Sequence, residues 1–174
     1  MVFSRFGTMF FSSPVLALRN LRRSLTPGGR SMMITWRSIE DNDWLGLAKG
    51  VVREFLPPPP DDGRTCGPGP FSLASEDVVR SIVGAAGFND IELIRNDVVM
   101  PVGRTIDEAI DMQLALGPAG EIVREAGELG SRREPEIRAA LTTELAPFQR
   151  EDGSVWLPSS SWTTTARNPS TLNS

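Results

Sequence analysis

Ser4-Arg5-Phe6-Gly7 offers, in four consecutive residues, a hydroxyl, a guanidinium, an aromatic ring and a position with no side chain. The set follows the short apolar run Met1-Val2-Phe3, which places it beyond a strand's carboxyl end, where open parallel sheets hold ligands. There Arg5 can grip a carboxylate, Phe6 can stack on a ring or a cation, and Gly7 lets a ligand approach the backbone. An ordinary turn from strand to helix explains the same residues equally well. Trp36-Arg37, with Trp44 shortly after, is the second grouping, and aromatic lining of a pocket weighs the same there as plain core packing. Gly28-Gly29 is a turn, not a phosphate cradle, because it lies between a helix and the next strand, whereas a cradle follows a strand and opens a helix. Asp41 and Asp43 are the carboxylates near the second grouping, and solvated loop acids are the simpler reading, so no catalytic residue is nominated.

Composition narrows the chemistry further. The chain of 174 residues contains no His, which excludes His triads, His general bases and every His-containing metal site. Cys66 is the single cysteine, so internal disulfides and thiolate metal clusters are excluded. What remains is work done by carboxylates, Arg, hydroxyls, aromatic rings or a bound cofactor. At 40% hydrophobic and 23% charged residues the chain reads as one ordinary soluble domain. No apolar run approaches the roughly 18 residues of a membrane span. Residues 1–39 hold six Arg and no acid, whereas residues 40–174 hold all 22 acids against 12 bases. The acidic total argues against a nucleic-acid partner. An acid-free, Ser- and Arg-containing start is shared by targeting peptides, but this one is organised like a folded core, so a cytoplasmic protein is expected.

The elements that would position these groups follow from spacing. Ser13-Pro14 reads as an N-cap and first helical position, and Leu18, Leu21 and Leu25 continue one apolar stripe. Arg22 and Arg23 suit that helix's negative end, and Thr26-Pro27-Gly28-Gly29 stops it. Ser31 to Trp36 is a mostly apolar strand expected to be covered on both faces. Strand, helix, Gly turn and strand make a βαβ unit of a parallel sheet. A helix is predicted over 40–56, with Trp44, Leu47, Val51, Phe55 and Leu56 on or near one face. The Pro/Gly-rich stretch 57–70 predicts a stiff loop or lid. Ser75 caps a helix that Gly87 terminates, and Ile91, Leu93 and Val98 to Met100 suggest a strand. Residues 105–148 predict a helical insertion: Thr105 to Glu108 is a capping box, a second helix ends at Gly130, and a third carries Ile137, Leu141, Leu145 and Phe148. The acids at 107, 108, 111, 121, 125 and 128 read as solvated helix faces, not as a metal site. Val155 to Ala166 is a final strand, and the tail from Arg167 is polar and frayed.

Taken together, Val2 to Phe11, Asn20 to Arg30 and Ile34 to Arg37 resemble the middle of a class I S-adenosylmethionine-dependent methyltransferase, of the bacterial small-molecule branch akin to the ubiquinone/menaquinone enzymes. The leucine-rich helix running into Pro27-Gly28-Gly29-Arg30 carries most of the likeness. The Ser4-Arg5-Phe6-Gly7 and Met9-Phe10-Phe11 patterns suggest a narrower subgroup, and Phe71 to Phe88 matches the helix that precedes the family's sixth strand. The resemblance implies an α/β, partial Rossmann-like methyltransferase fold: strands four to seven of a seven-stranded sheet, with extra helices before the last. It implies S-adenosylmethionine as cofactor beside Ser4, Arg5 and Phe6, and a small organic methyl acceptor beside Phe10, Trp36 and Trp44, covered by the Pro-rich loop and the later helices. The family's Gly-rich loop and ribose-binding acid have no counterpart in the sequence, and Met1 aligns inside strand four. The expectation is therefore the carboxy-terminal portion of a methyltransferase domain, from a truncated gene, a fragment or a split enzyme, completed by an amino-terminal half or by another copy. The alternatives are a noncatalytic α/β module pairing with a complete subunit, or a fragment of another Rossmann-like enzyme such as an oxidoreductase.

Overall fold

The computed structural model describes residues 1–57 and 67–170; Cys66, most of the Pro/Gly-rich loop and the last four residues lie outside the described residues. The elements run β1 (Val2–Arg5), α1 (Pro14–Arg23), β2 (Arg30–Trp36), α2 (Asp43–Phe55), α3 (Glu76–Ala85), β3 (Asn89–Gly103), α4 (Ile106–Ala115), α5 (Pro118–Glu125), α6 (Glu128–Leu145) and β4 (Val155–Arg167). The four strands form one sheet in the order β1-β2-β4-β3, with β1 parallel and β4 antiparallel to β2. The fold is α/β, as the sequence predicts. The chain divides into two compact units, the first comprising 1–38, 65–97 and 160–174 and the second 39–64 and 98–159.

In the first unit the βαβ unit forms as expected, because Pro14 opens α1 and Gly28, at φ +72°, turns the chain into β2. Ser31, Met33 and Thr35 face inward from β2 and are buried, as are their β4 partners Ala166, Thr164 and Trp162. Leu18 and Leu25 from the first helical stretch and Val79 and Val83 from α3 complete this core. The other face departs from the expectation of a doubly covered strand: Met32 and Ile34 are only half-buried and belong to neither core. Beside them on β1, Phe3 is 54% exposed. Arg19 and Arg22 do more than suit their own helix, since they donate to the carbonyls of Ala85 and Ala86 at the end of α3, each at 3.0 Å. The expected frayed tail is corrected at its start. Arg167 ends β4, and Asn168 is buried, donating to the carbonyls of Leu25 and Thr26 at 3.0 and 3.1 Å and accepting from Arg22 at 3.1 Å.

In the second unit the core is built from Ala48, Val52, Ile110, Ile137, Leu141, Leu145 and Leu157, all fully buried or nearly so. On α2 the buried face is Leu45, Ala48, Val51 and Val52, so Trp44, Leu47 and Phe55 lie at its margin. The capping box forms in half: the Thr105 hydroxyl accepts the Glu108 N–H at 3.2 Å, while the Glu108 carboxylate reaches Arg104 instead, taking its N–H at 3.0 Å. Gly130 does not end a helix. The break falls at Gly127, φ +55°, and Gly130 is buried inside α6, where a Cβ would stand 2.1 Å from the Val123 carbonyl oxygen.

Candidate functional site

The carboxyl ends of β1 and β2 lie side by side because the two strands are parallel and in register, Arg5 against Ile34. After Arg5 the Phe6 N–H still bonds the Ile34 carbonyl at 2.9 Å, but Phe6 itself adopts φ +54°. A bulky aromatic in the left-handed region stores about 1–3 kcal/mol of strain, and such residues concentrate at sites where the surrounding structure holds them for a purpose. The turn lays the Phe6 ring on Trp36, with centroids 3.9 Å apart and planes at 15°. Gly7 follows, where a Cβ would already be 3.3 Å from the Ser4 hydroxyl oxygen.

The next residues lock this end of the sheet. Met9 is buried and its Sδ accepts the Trp36 N–H at 3.3 Å. Its carbonyl accepts the Gly69 N–H at 3.0 Å and the Ser72 hydroxyl at 2.7 Å, which fastens the segment after the Pro-rich stretch to the same place. Thr8 is buried and its hydroxyl finds no hydrogen-bond partner among the described residues. Phe10, 55% exposed, and Phe11 stand at the surface just beyond. At the end of β2, Arg37 places its guanidinium 4.2 Å above the Trp162 ring, whose indole N–H donates to the Ala74 carbonyl at 2.7 Å.

The structure thus joins Phe6 to Trp36, with Ser4 and Arg5 just before Phe6 in the chain. Arg5 is exposed and has no acid partner among the described residues. Trp44 belongs to the second unit, where its indole N–H donates to the Asn42 carboxamide oxygen at 3.1 Å. Asp43 is also in that unit, on a groove of about 840 Å³ that Lys49, Gly50, Thr143 and Glu144 help to line. Sequence reading missed the roles of Met9 and Ser72. A buried methionine whose sulfur and carbonyl both tie loops together leaves no trace in spacing, because Met reads as a gap-filling apolar residue. Chemically, the cluster offers a guanidinium for an anion, a rigid aromatic pair for a flat ring or a cation, and hydroxyls for orientation. It holds no group suited to shuttling protons near neutral pH.

No protein-family model and no curated protein matches the sequence. Among solved structures the chain is similar to a protein of Bacillus halodurans C-125 whose methyltransferase assignment is itself provisional, at 15% identity and TM-score 0.48, with 97% of this chain and 68% of that one covered. It is also similar to the phosphoethanolamine N-methyltransferase 2 of Haemonchus contortus, solved with phosphomonomethylethanolamine and S-adenosylhomocysteine, at 15% identity and TM-score 0.37, with 97% of this chain and 33% of that one covered.

Proposed function

We propose that these residues are the carboxy-terminal part of a methyltransferase that passes a methyl group from S-adenosylmethionine to a small organic acceptor in the cytoplasm. The observation that carries the reading is the strained Phe6, stacked on Trp36 where two parallel strands end, with Arg5 exposed beside it. The resemblance of Val2 to Phe11, Asn20 to Arg30 and Ile34 to Arg37 to the methyltransferase family supports it.

The residues present fit the cofactor in part. Arg5 suits the carboxylate of its methionine end, and the Phe6–Trp36 pair suits a sulfonium cation or an aromatic ring. Residues 6–13, between β1 and α1, contain no acid for ribose hydroxyls and one glycine only. The adenosine half therefore lacks a grip there. When bound, S-adenosylmethionine supplies an electrophilic methyl group and leaves as a neutral thioether. Transfer from a sulfonium is an in-line displacement, which needs alignment and exclusion of water and no covalent enzyme intermediate. In this chain Arg5 and Ser4 would orient the polar end of the ligand. Phe6, Trp36 and Phe10 would shield it from water, consistent with a chain that has no His.

A second reading, a noncatalytic α/β module that pairs with another polypeptide, is favoured by one observation: β1 lies at the border of the sheet with Phe3 exposed. Determining the coding sequence upstream of the Met1 codon separates the readings. An in-frame Gly-rich loop after a strand, followed by a ribose-binding acid, sustains methyl transfer; an immediate stop codon sustains the pairing module; a G-x-G-x-x-G nicotinamide fingerprint gives the reading to an oxidoreductase.

A further inference from the structure

Backbone freedom and backbone demand fall on different residues at the carboxyl end of β1. Phe6 takes φ +54°, in the region that favours glycine, while Gly7 beside it sits at φ −108° and ψ −33°, where any residue fits. The glycine's freedom is unused in this conformation, and a bulky ring carries the strain. The ring pairing is not optimal either: the Phe6 and Trp36 centroids stand 3.9 Å apart with planes at 15°, closer to face to face than the offset or edge-on pairs, about 4.5–7 Å apart, that aromatic rings prefer. Two residues on, the Thr8 hydroxyl is buried without a hydrogen-bond partner among the described residues. On either side the chain is fastened, by the Phe6 N–H on the Ile34 carbonyl at 2.9 Å and by Met9 on Trp36, Gly69 and Ser72. Strain, a forced stack and an orphaned hydroxyl thus lie in residues 6–8, between two clamps, which is the setting of a hinge.

We infer that Phe6 is a displaceable plug: its ring holds the face of Trp36 on which a planar ring of the ligand stacks, and the left-handed turn relaxes when that ring takes its place. Rotation about the Phe6 N–Cα bond leaves the hydrogen bond to Ile34 intact, and Gly7 absorbs the compensating change in the backbone. The Trp36 N–H is held by the Met9 sulfur at 3.3 Å, so Trp36 stays ordered in advance and binding has only Phe6 to move. The strain of a left-handed Phe is of the size that an aromatic stack returns, so an entering ring does not oppose the stack at full strength. The inference rests on the reading of this end of the sheet as a ligand site and names the surface that receives a ring. An adenine of the cofactor and an aromatic methyl acceptor share that chemistry.

The test uses the full chain with adenosine and phenol as separate probes, up to about 5 mM, followed by the Trp36 indole resonance. Phe6→Gly removes the plug and the strain together, and at least one probe should bind it roughly tenfold tighter than the parent. Phe6→Ala, which removes the ring but keeps a side chain at the strained position, should tighten binding less. Gly7→Ala fits the observed φ, with only the Ser4 hydroxyl, 3.3 Å from the added Cβ, to give way. That variant should unfold at the parent's temperature, bind at least about threefold more weakly, and lose the microsecond-to-millisecond exchange expected of the Phe6 and Trp36 amides. Tightening for adenosine alone assigns the ring to the cofactor, and for phenol alone to the acceptor; either result stands whatever is found upstream of the Met1 codon, so the plug and methyl transfer fail separately. Equal or weaker binding of both probes by Phe6→Gly, or no Trp36 shift with either, overturns the inference, because Phe6 is then a wall of the site or plain packing. So does a Gly7→Ala chain that binds and exchanges as the parent does.

Discussion

Asn168 shows how much one side chain can hold when three backbone segments meet it. Its amide satisfies two carbonyls of the turn between α1 and β2, and its oxygen takes a guanidinium proton from Arg22, in a buried setting. Replacing it by Ala takes the amide donor from the buried Leu25 carbonyl and the acceptor from Arg22, while the Thr26 carbonyl keeps the Gly29 N–H at 2.9 Å, so Asn168→Ala should lower stability by about 2 kcal/mol in urea unfolding. A loss below about 0.5 kcal/mol would mean that water replaces the amide freely. At the opposite extreme of exposure, the Asp97 carboxylate accepts the Ser160 hydroxyl at 2.6 Å and the Arg95 Nε–H at 2.7 Å. The Ser160 hydrogen bond, and then Arg95, hold its pKa below the ordinary aspartate value. A depressed folded-state pKa stabilises the protein above the unfolded value, near 4, and that contribution is lost as pH falls through the folded value. The thermal midpoints of the parent and Asp97→Asn should therefore differ at pH 7 and converge as the pH falls below the unfolded value, near 4; a gap that stays constant with pH refutes the ionic origin. Neither residue was legible in advance. Asn168 sat in what reads as a polar tail, and although Arg95 lies two residues from Asp97 on β3, the Ser160 partner is set by the pairing of distant strands.

Element existence and type were readable, and element boundaries were not, for reasons the glycines make concrete. The apolar spacing of Leu18, Val79 and Ile110 and the Thr105 cap announce their helices, because burial and capping are local demands. Gly127 and Gly130 look alike in sequence, yet one breaks the chain at φ +55° and the other lets α5 and α6 approach within a helix. Only the tertiary contact distinguishes them. A Cβ at Gly130 would stand 2.1 Å from a main-chain oxygen, so Gly130→Ala must push the two helices apart and should cost more than about 2 kcal/mol. Gly50, within α2, is the opposite case: a Cβ there meets nothing within 4 Å. Gly50→Ala should raise stability by about 0.5–1 kcal/mol, since it restores helix propensity and removes freedom from the unfolded chain. Chemical denaturation of both variants checks the pair. If both destabilise, the space beside Gly50 is occupied in solution.

For the whole chain, the open question is how much of a nucleotide-type cofactor these residues can hold unaided. One exposed guanidinium contributes about 1 kcal/mol or less to an exposed ion pair, and a stacked ring contributes about 1–3 kcal/mol. Even added without deduction these reach only about 4 kcal/mol, the free energy of a millimolar complex, and association itself consumes part of that. The Phe6–Trp36 stack is preformed, which spares the cost of ordering it, but the segment between β1 and α1 offers neither an acid for sugar hydroxyls nor a run of glycines for close backbone approach. Titration calorimetry of the purified 174 residues with S-adenosylmethionine at about 50 µM should therefore show no binding heat. If one-to-one binding at that concentration is seen and is lost in Arg5→Ala, the cluster at the ends of β1 and β2 is a complete site, and the reading of the Phe6–Trp36 cluster as holding only part of the cofactor is wrong.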